Sequence, residues 1–66
     1  AVNQPININT ATAEQLNALD GVGPKTARKI IEYREANGGF KSVEELLEVP
    51  GIGPAKFEQI RNQVVI

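Results

Sequence analysis

Two short glycine motifs are the parts of this sequence whose residue types are best suited to hold a ligand. Residues 21–23 (GVG) and 51–53 (GIG) are both followed by proline. Glycine places no side chain over the backbone, so the N–H groups of such a turn can point outward together. A helix that begins directly after the turn adds unsatisfied N–H groups and the positive end of its dipole. Because phosphate suits that geometry, each motif predicts a phosphate-binding hairpin.

The residues inside and after each hairpin have distinct expected roles. Val22 and Ile52, between the glycines, are expected to tuck inward and lock each turn to the core. Lys25 and Lys56 fall in the first turn of the following helices, close enough to add positive charge to a bound phosphate. A single Gly-x-Gly run is most often only a chain reversal. Two hairpins at the same place in two similar segments, each followed by basic residues, favour binding.

Both hairpins lie in an internal repeat with a period of thirty residues. Residues 12–34 align with residues 42–64, and six of the 23 aligned positions are identical. The identical pairs are Glu14 and Glu44, Leu16 and Leu46, Gly21 and Gly51, Gly23 and Gly53, Pro24 and Pro54, and Ile30 and Ile60. They occupy the turn and the apolar positions, so they describe one structural unit that occurs twice.

Each unit is predicted to be a helix, a tight turn and a second helix. Thr12 and Ser42 begin sequences that fit a capping box, in which the hydroxyl and a later Gln or Glu satisfy N–H groups at a helix start. Pro24 and Pro54 suit the first turn of the second helix, and Gly38 is expected to end that helix in the first unit. Apolar residues recur at helical spacing, at Leu16, Leu19, Ala27, Ile30 and Ile31 and again at Leu46, Val49, Phe57, Ile60 and Val64.

Composition bounds the chemistry that this chain can perform. It has 66 residues, which make one small domain, and it contains neither cysteine nor histidine. Disulfides, the usual zinc sites and catalysis by a histidine base are therefore excluded, and no apolar run is long enough to span a bilayer. The net charge of −1 disfavours a nucleic-acid partner at first sight. However, most acidic residues precede the hairpins and most basic residues follow them, so the charges are segregated along the chain.

Residues 21–31 (GVGPKTARKII) and 51–57 (GIGPAKF) resemble the helix-hairpin-helix motif. Residues 8–11, 14–16, 33–35 and 39–46 are similar, more narrowly, to the ComEA family of DNA receptors in bacterial transformation. The resemblance implies an all-α fold, in which two tandem helix-hairpin-helix motifs with pseudo-two-fold symmetry form a SAM-like (HhH)2 bundle. We expect an irregular lead-in at 1–9 and a domain at 10–66, made of a first motif at about 12–37, a connector at 38–42 and a second motif at about 43–64.

The ComEA resemblance also implies a function. Members bind double-stranded DNA without sequence preference, outside the cytoplasm, during DNA uptake, and proteins of the uptake machinery are expected partners. No cofactor, metal or small-molecule substrate is implied. The start of the chain at Ala1–Gln4, without stalk or anchor, resembles the soluble periplasmic members. The DNA-contacting positions that carry over are Gly21, Val22, Gly23, Lys25, Thr26, Arg28, Lys29, Gly51, Ile52, Gly53, Ala55 and Lys56.

The two repeats differ in the charge that follows each hairpin. Basic residues of the first repeat align with uncharged or acidic residues of the second: Lys25 with Ala55, Arg28 with Glu58, and Lys29 with Gln59. Lys56 compensates in part. We therefore expect unequal binding, in which the first hairpin supplies more of the electrostatic attraction. Two hairpins related by pseudo-two-fold symmetry could each hold one strand of a duplex across the minor groove, through phosphate contacts that read no bases.

Two other classes of function remain open on the sequence. Helix-hairpin-helix repeats also persist as subunits of larger assemblies after losing DNA binding, and the acidic net charge is the best support for such a scaffold role. An enzyme fragment is the weaker alternative, because no carboxylate pair has an obvious pocket and only thirteen residues follow Gly53. No catalytic residue is assigned, and the chain is interpreted as a non-enzymatic binding module.

Overall fold

Four helices and a two-stranded parallel ladder make up the described part of the chain, residues 5–66 of a computed structural model. In chain order these elements are strand β1 (Ile6–Asn7), helix α1 (Ala13–Asn17), helix α2 (Pro24–Asn37), a 3-10 helix (Val43–Glu48), helix α3 (Pro54–Ile60) and strand β2 (Val64–Val65). The predicted all-α fold of two helical units is confirmed. The start at Ala1–Gln4, compared above with soluble family members, lies outside the described residues.

The apolar positions of the repeat form one core to which both units contribute. Its buried aligned pairs are Leu16 and Leu46, Leu19 and Val49, Val22 and Ile52, Ala27 and Phe57, and Ile30 and Ile60. Phe40, in the connector, is also buried and stacks on Tyr33 with 5.1 Å between the ring centroids. Because aligned residues are buried in both units, the thirty-residue repeat of the sequence is also a repeat of the structure.

Local signals place the ends of the first unit's helices where they were predicted. The capping box at Thr12 is complete, since the Gln15 N–H donates to Thr12 Oγ1 at 3.2 Å and the Thr12 N–H donates to the Gln15 side chain at 2.9 Å. Helix α2 begins at Pro24 and ends before Gly38, whose φ of 71° is left-handed. The Gly38 N–H donates to the carbonyl of Arg34, which satisfies an acceptor at the helix end.

The second unit departs from the prediction at its first helix, which is a 3-10 helix rather than an α-helix. The capping box predicted at Ser42 is wrong, because the Ser42 side chain makes no cap hydrogen bond. The carboxylate of Glu45 instead accepts from the Lys41 N–H at 2.5 Å and from the Tyr33 hydroxyl at 2.9 Å. The hydrogen bond from the Lys41 N–H is the main cause that lowers the pKa of Glu45, and the bond from Tyr33 lowers it further. The same bond to Glu45 raises the pKa of Tyr33.

The Glu45 bonds predict a specific loss of stability in acid. A carboxylate whose pKa is lower in the folded state contributes stability that is present above its unfolded pKa and is lost as the pH falls through the folded pKa. Glu45→Gln should therefore lower the melting temperature at pH 7, and its difference from the wild type should shrink towards pH 3. Thermal denaturation by circular dichroism between pH 3 and pH 7 measures this.

Glu44→Gln is the matched control for this prediction, because Glu44 is an exposed neighbour on the same 3-10 helix. It should leave the melting temperature at pH 7 nearly unchanged. An equal pH dependence for Glu45→Gln and the wild type would show that the two hydrogen bonds contribute nothing to folding.

Residues 6–9 of the predicted lead-in are integrated into the domain. Strand β1 pairs in parallel with β2, with Ile6 opposite Val64. Ile8 is fully buried in the core. The side chain of Asn9 accepts from the Phe40 N–H at 2.6 Å and donates to the Phe40 carbonyl at 3.0 Å. These contacts join the beginning of the described chain to its end and to the connector.

Candidate nucleic-acid interface

The first glycine of each hairpin is required by the turn that it occupies. The Val22 N–H donates to the Leu19 carbonyl at 3.1 Å, and the Ile52 N–H donates to the Val49 carbonyl at the same distance. The third residue of each turn is glycine, with φ of 75° at Gly21 and 95° in the second hairpin. Such positive angles belong to type II turns, which favour glycine at this position.

The residue between the glycines anchors each hairpin to the core, as predicted. Val22 and Ile52 are both only 4% exposed. Since their N–H groups close the turns, these two amides are already engaged within the protein. The expectation that all three N–H groups of a hairpin face a phosphate therefore needs correction. Val22 and Ile52 hold each turn in place.

The second glycine of each hairpin has no such structural reason to be glycine. Gly23 has φ −93° and ψ −178°, and Gly53 has φ −96° and ψ 178°, which is extended backbone open to any residue. A Cβ atom added to either glycine would meet nothing within 4 Å in the described chain beyond the glycine itself and its two chain neighbours. The space beside these two residues is therefore free for something outside the protein to approach the backbone.

Unsatisfied N–H groups follow each of these glycines. The first backbone hydrogen bond of α2 runs from the Ala27 N–H to the Gly23 carbonyl at 2.9 Å, and that of α3 runs from Phe57 to Gly53 at the same distance. The N–H groups that precede these bonds have no partner within the helix. They belong to the predicted positions Lys25 and Thr26 in the first unit and Ala55 and Lys56 in the second.

The two hairpins lie close together because each one packs on the second helix of the other unit. A Cβ on Gly51 would lie 3.6 Å from Oγ1 of Thr26, on α2. A Cβ on Gly21 would lie 3.6 Å from Cε of Lys56 and 3.1 Å from Oε1 of Gln59, both on α3. The site is therefore one surface formed by both units.

Comparison with known proteins matches residues 2–65 to a family model described as the helix-hairpin-helix motif. The chain belongs to the helix-hairpin-helix family. Membership supports nucleic-acid binding, and the match covers the lead-in as well as both helix-hairpin-helix units.

The chain is similar to three relatives and spans only part of the length of each. It is 48% identical over 61 residues to ComE operon protein 1 of Bacillus subtilis, covering 92% of this chain and 30% of that protein, which confirms the resemblance to ComEA. It is 46% identical over 65 residues to an uncharacterized protein of Haemophilus influenzae, covering 97% of this chain and 58% of that protein. It is 52% identical over 66 residues to human endonuclease/exonuclease/phosphatase family domain-containing protein 1, covering 98% of this chain and 12% of that protein.

The first helix-hairpin-helix motif carries the more exposed positive charge. Lys25, Arg28 and Lys29 are all exposed on α2 and take part in no ion pair with residues 5–66. In the second motif, Arg61 is paired with Glu58 at 3.1 Å. The predicted charge difference between the two repeats is therefore present on the folded surface.

Sequence comparison of the two repeats missed the contacts that cross between them. Gln59 lies against Gly21, and Gln63 donates to the carboxylate of Asp20, beside the first hairpin, at 3.0 Å. Alignment places Lys56 after the second hairpin, yet its side chain reaches the first. The spacing of residues in the sequence does not predict this contact, because it carries information on each helix-hairpin-helix motif separately and none on how the two motifs pack together.

Within residues 5–66 there is no group of three or more acidic side chains arranged to hold a metal ion. None of the helices described there is long and apolar enough to cross a membrane. The geometry of the hairpins and family membership both indicate the hairpin surface as the candidate site.

Proposed function

We propose that this domain binds double-stranded DNA without sequence preference, through backbone N–H groups of its two hairpins. The observation that carries the proposal is the pair Gly23 and Gly53. Neither the backbone angles nor the surrounding atoms require glycine at these two positions. We therefore infer that the lack of a side chain serves to let an external group approach the backbone. The helix N-termini beside both residues make phosphate the best-matched group.

The pairing of two hairpins on one surface supports a duplex as the ligand. A duplex presents two antiparallel backbones, and two sites related by pseudo-two-fold symmetry match them across the minor groove. The aromatic residues offer no stacking platform, since Phe40 and Phe57 are buried and Tyr33 stacks on Phe40. Single-strand binding relies on exposed aromatic platforms, so a duplex is the better match.

We propose a place in DNA uptake during natural transformation, outside the cytoplasm and alongside uptake-machinery proteins. The 48% identity to ComE operon protein 1 supports this setting. On this proposal the domain is a binding module and not an enzyme. Its net charge of −1 is the one observation that favours a scaffold role instead. DNA is also negatively charged, so this net charge provides no electrostatic attraction to it.

A titration of fluorescently labelled random-sequence duplex tests the proposal. We expect a dissociation constant on the order of 10⁻⁶–10⁻⁴ M near physiological salt and a log–log salt slope of roughly −4 to −5, from about four to six neutralised phosphates. Lys25→Glu should weaken binding about tenfold at low salt, because the attraction of the lysine to phosphate is replaced by the repulsion of a glutamate. A tenfold change corresponds to about 1.4 kcal/mol of binding free energy.

Lys41→Glu makes the same change of charge outside the hairpins and serves as the control. It should weaken binding far less than Lys25→Glu. Absence of wild-type binding at low salt would reject DNA as the ligand and favour the scaffold role. Equal weakening by both variants would show that only the total charge matters and that the first hairpin is not a specific site.

A further inference from the structure

We infer that Lys56 supplies its charge to the phosphate at the first hairpin, although the sequence places it in the second motif. This inference rests on the proposed function, because it assigns a residue to one of the two phosphate sites. Under this inference, the residues of one phosphate site do not all come from one sequence repeat. The first site would draw on α2 and α3 together, and the charge of the second motif would serve the first hairpin.

The position of the Lys56 side chain is the first support. Its Cε would lie 3.6 Å from a Cβ on Gly21, which places the terminal ammonium group, one bond further on, at the edge of the first hairpin. Lys56 is half-buried, whereas Lys25 and Lys29 are exposed. A half-buried lysine lays its apolar stem along the protein surface and keeps its charged end at the rim. The charge of Lys56 therefore lies beside the first hairpin.

The orientation of α3 is the second support. Lys56 and Gln59 of α3 contact the first hairpin, and Gln63, in the turn after α3, contacts the neighbouring Asp20. The adjacent face of the helix is fixed in the core by Phe57 and Ile60. The contact of Lys56 with the first hairpin is thus part of the docking of a whole helix, and rotation of one side chain does not account for it.

The aligned position in the other repeat gives the third support. Thr26 corresponds to Lys56, and its hydroxyl lies 3.6 Å from the Cβ position of Gly51 in the second hairpin. The same position therefore crosses to the opposite hairpin in both directions. Its chemistry differs, however, because the first hairpin receives a cation and the second receives a neutral hydroxyl. This makes the two sites more unequal than alignment of the repeats predicts.

An NMR titration of the full chain with a short random-sequence duplex tests the assignment. The amide signals of residues 21–23 and 51–53 report separately on the two hairpins. Lys56→Gln should weaken binding about fivefold, as expected for loss of one phosphate contact. At matched saturation it should reduce the DNA-induced shifts of residues 21–23 and leave those of residues 51–53 close to wild type.

Thr26→Val is the reciprocal variant, and it should alter the shifts of residues 51–53 instead. If Lys56→Gln changes the second hairpin and spares the first, Lys56 serves its own motif and the inference is wrong. If it changes neither, Lys56 binds no phosphate, and the inference is again wrong while the proposed function stands. If neither hairpin shifts when DNA binds to the wild type, the proposed function fails, and this assignment fails with it.

Discussion

The double variant Gly23→Ala, Gly53→Ala is expected to lose measurable DNA binding while keeping its fold. A hydrogen bond from a backbone N–H to phosphate requires a nitrogen–oxygen distance of about 2.7–3.2 Å, and a methyl group beside the amide keeps the phosphate further away. Each charge-assisted bond contributes about 1.5–3 kcal/mol, so weakening both sites should reduce affinity by on the order of 100-fold or more. From a micromolar starting point, that leaves little binding to detect.

The fold should survive because both glycines have extended backbone and open surroundings. Alanine reduces the entropy of the unfolded chain, which stabilises by about 0.4–1 kcal/mol, and it is a poorer helix cap than glycine by a similar amount. The two effects nearly cancel. For a domain of this size 1 kcal/mol corresponds to about 4–8 °C, and we expect the melting temperature to change by less than that.

Serine at the same two positions separates binding from stability. Gly23→Ser and Gly53→Ser introduce a preferred cap residue, so the melting temperature should stay level or rise while DNA binding still falls. Fluorescence titration and thermal denaturation of the same samples measure both quantities. Alanine variants that bind within twofold of the wild type would show that the hairpins are only turns.

The second large effect concerns Gly21 and Gly51, where substitution should reduce the stability of the fold. Gly21→Ala and Gly51→Ala place a side chain on backbone with φ of 75° and 95°. Left-handed backbone costs a non-glycine residue roughly 1–2 kcal/mol, and at Gly21 the new Cβ also meets Oε1 of Gln59 at 3.1 Å. Two such substitutions would remove about 2–4 kcal/mol from a domain whose core supplies only about 3–5 kcal/mol.

Urea denaturation at 25 °C measures this loss, and the double variant should be largely unfolded without denaturant. Gly51→Asn provides the matched control, since asparagine tolerates left-handed backbone better than alanine does. It should be less destabilising than Gly51→Ala. Equal losses from the two substitutions would mean that the added atoms, and not the backbone angle, cause the damage.

Features encoded within a few neighbouring residues could be predicted from the sequence. The capping box at Thr12, the start of α2 at Pro24 and its end at Gly38 all depend on local hydrogen bonds, and the structure has each of them. Val22 and Ile52 were expected to lie in the core because each sits between two glycines, and both do.

Features decided by distant partners could not be predicted in this way. Ser42 has the sequence of a capping box, but its side chain makes no cap hydrogen bond, and the carboxylate of Glu45 accepts from the hydroxyl of Tyr33, twelve residues earlier. Strand β1 exists only because β2, at the other end of the chain, pairs with it. The side chain of Lys56 reaches the first hairpin because of how two similar units dock, and that docking is not written in either unit alone.

The parallel pairing of β1 with β2 has a mechanical consequence. In a parallel ladder the chain enters at one end and leaves at the other, so tension applied through the two ends pulls the strands past each other. The bonds from the Ile6 N–H to the Gln63 carbonyl, 2.8 Å, and from the Ile8 N–H to the Val65 carbonyl, 3.0 Å, then share the load in shear and do not open one after the other. The domain would thereby resist being unravelled from its ends.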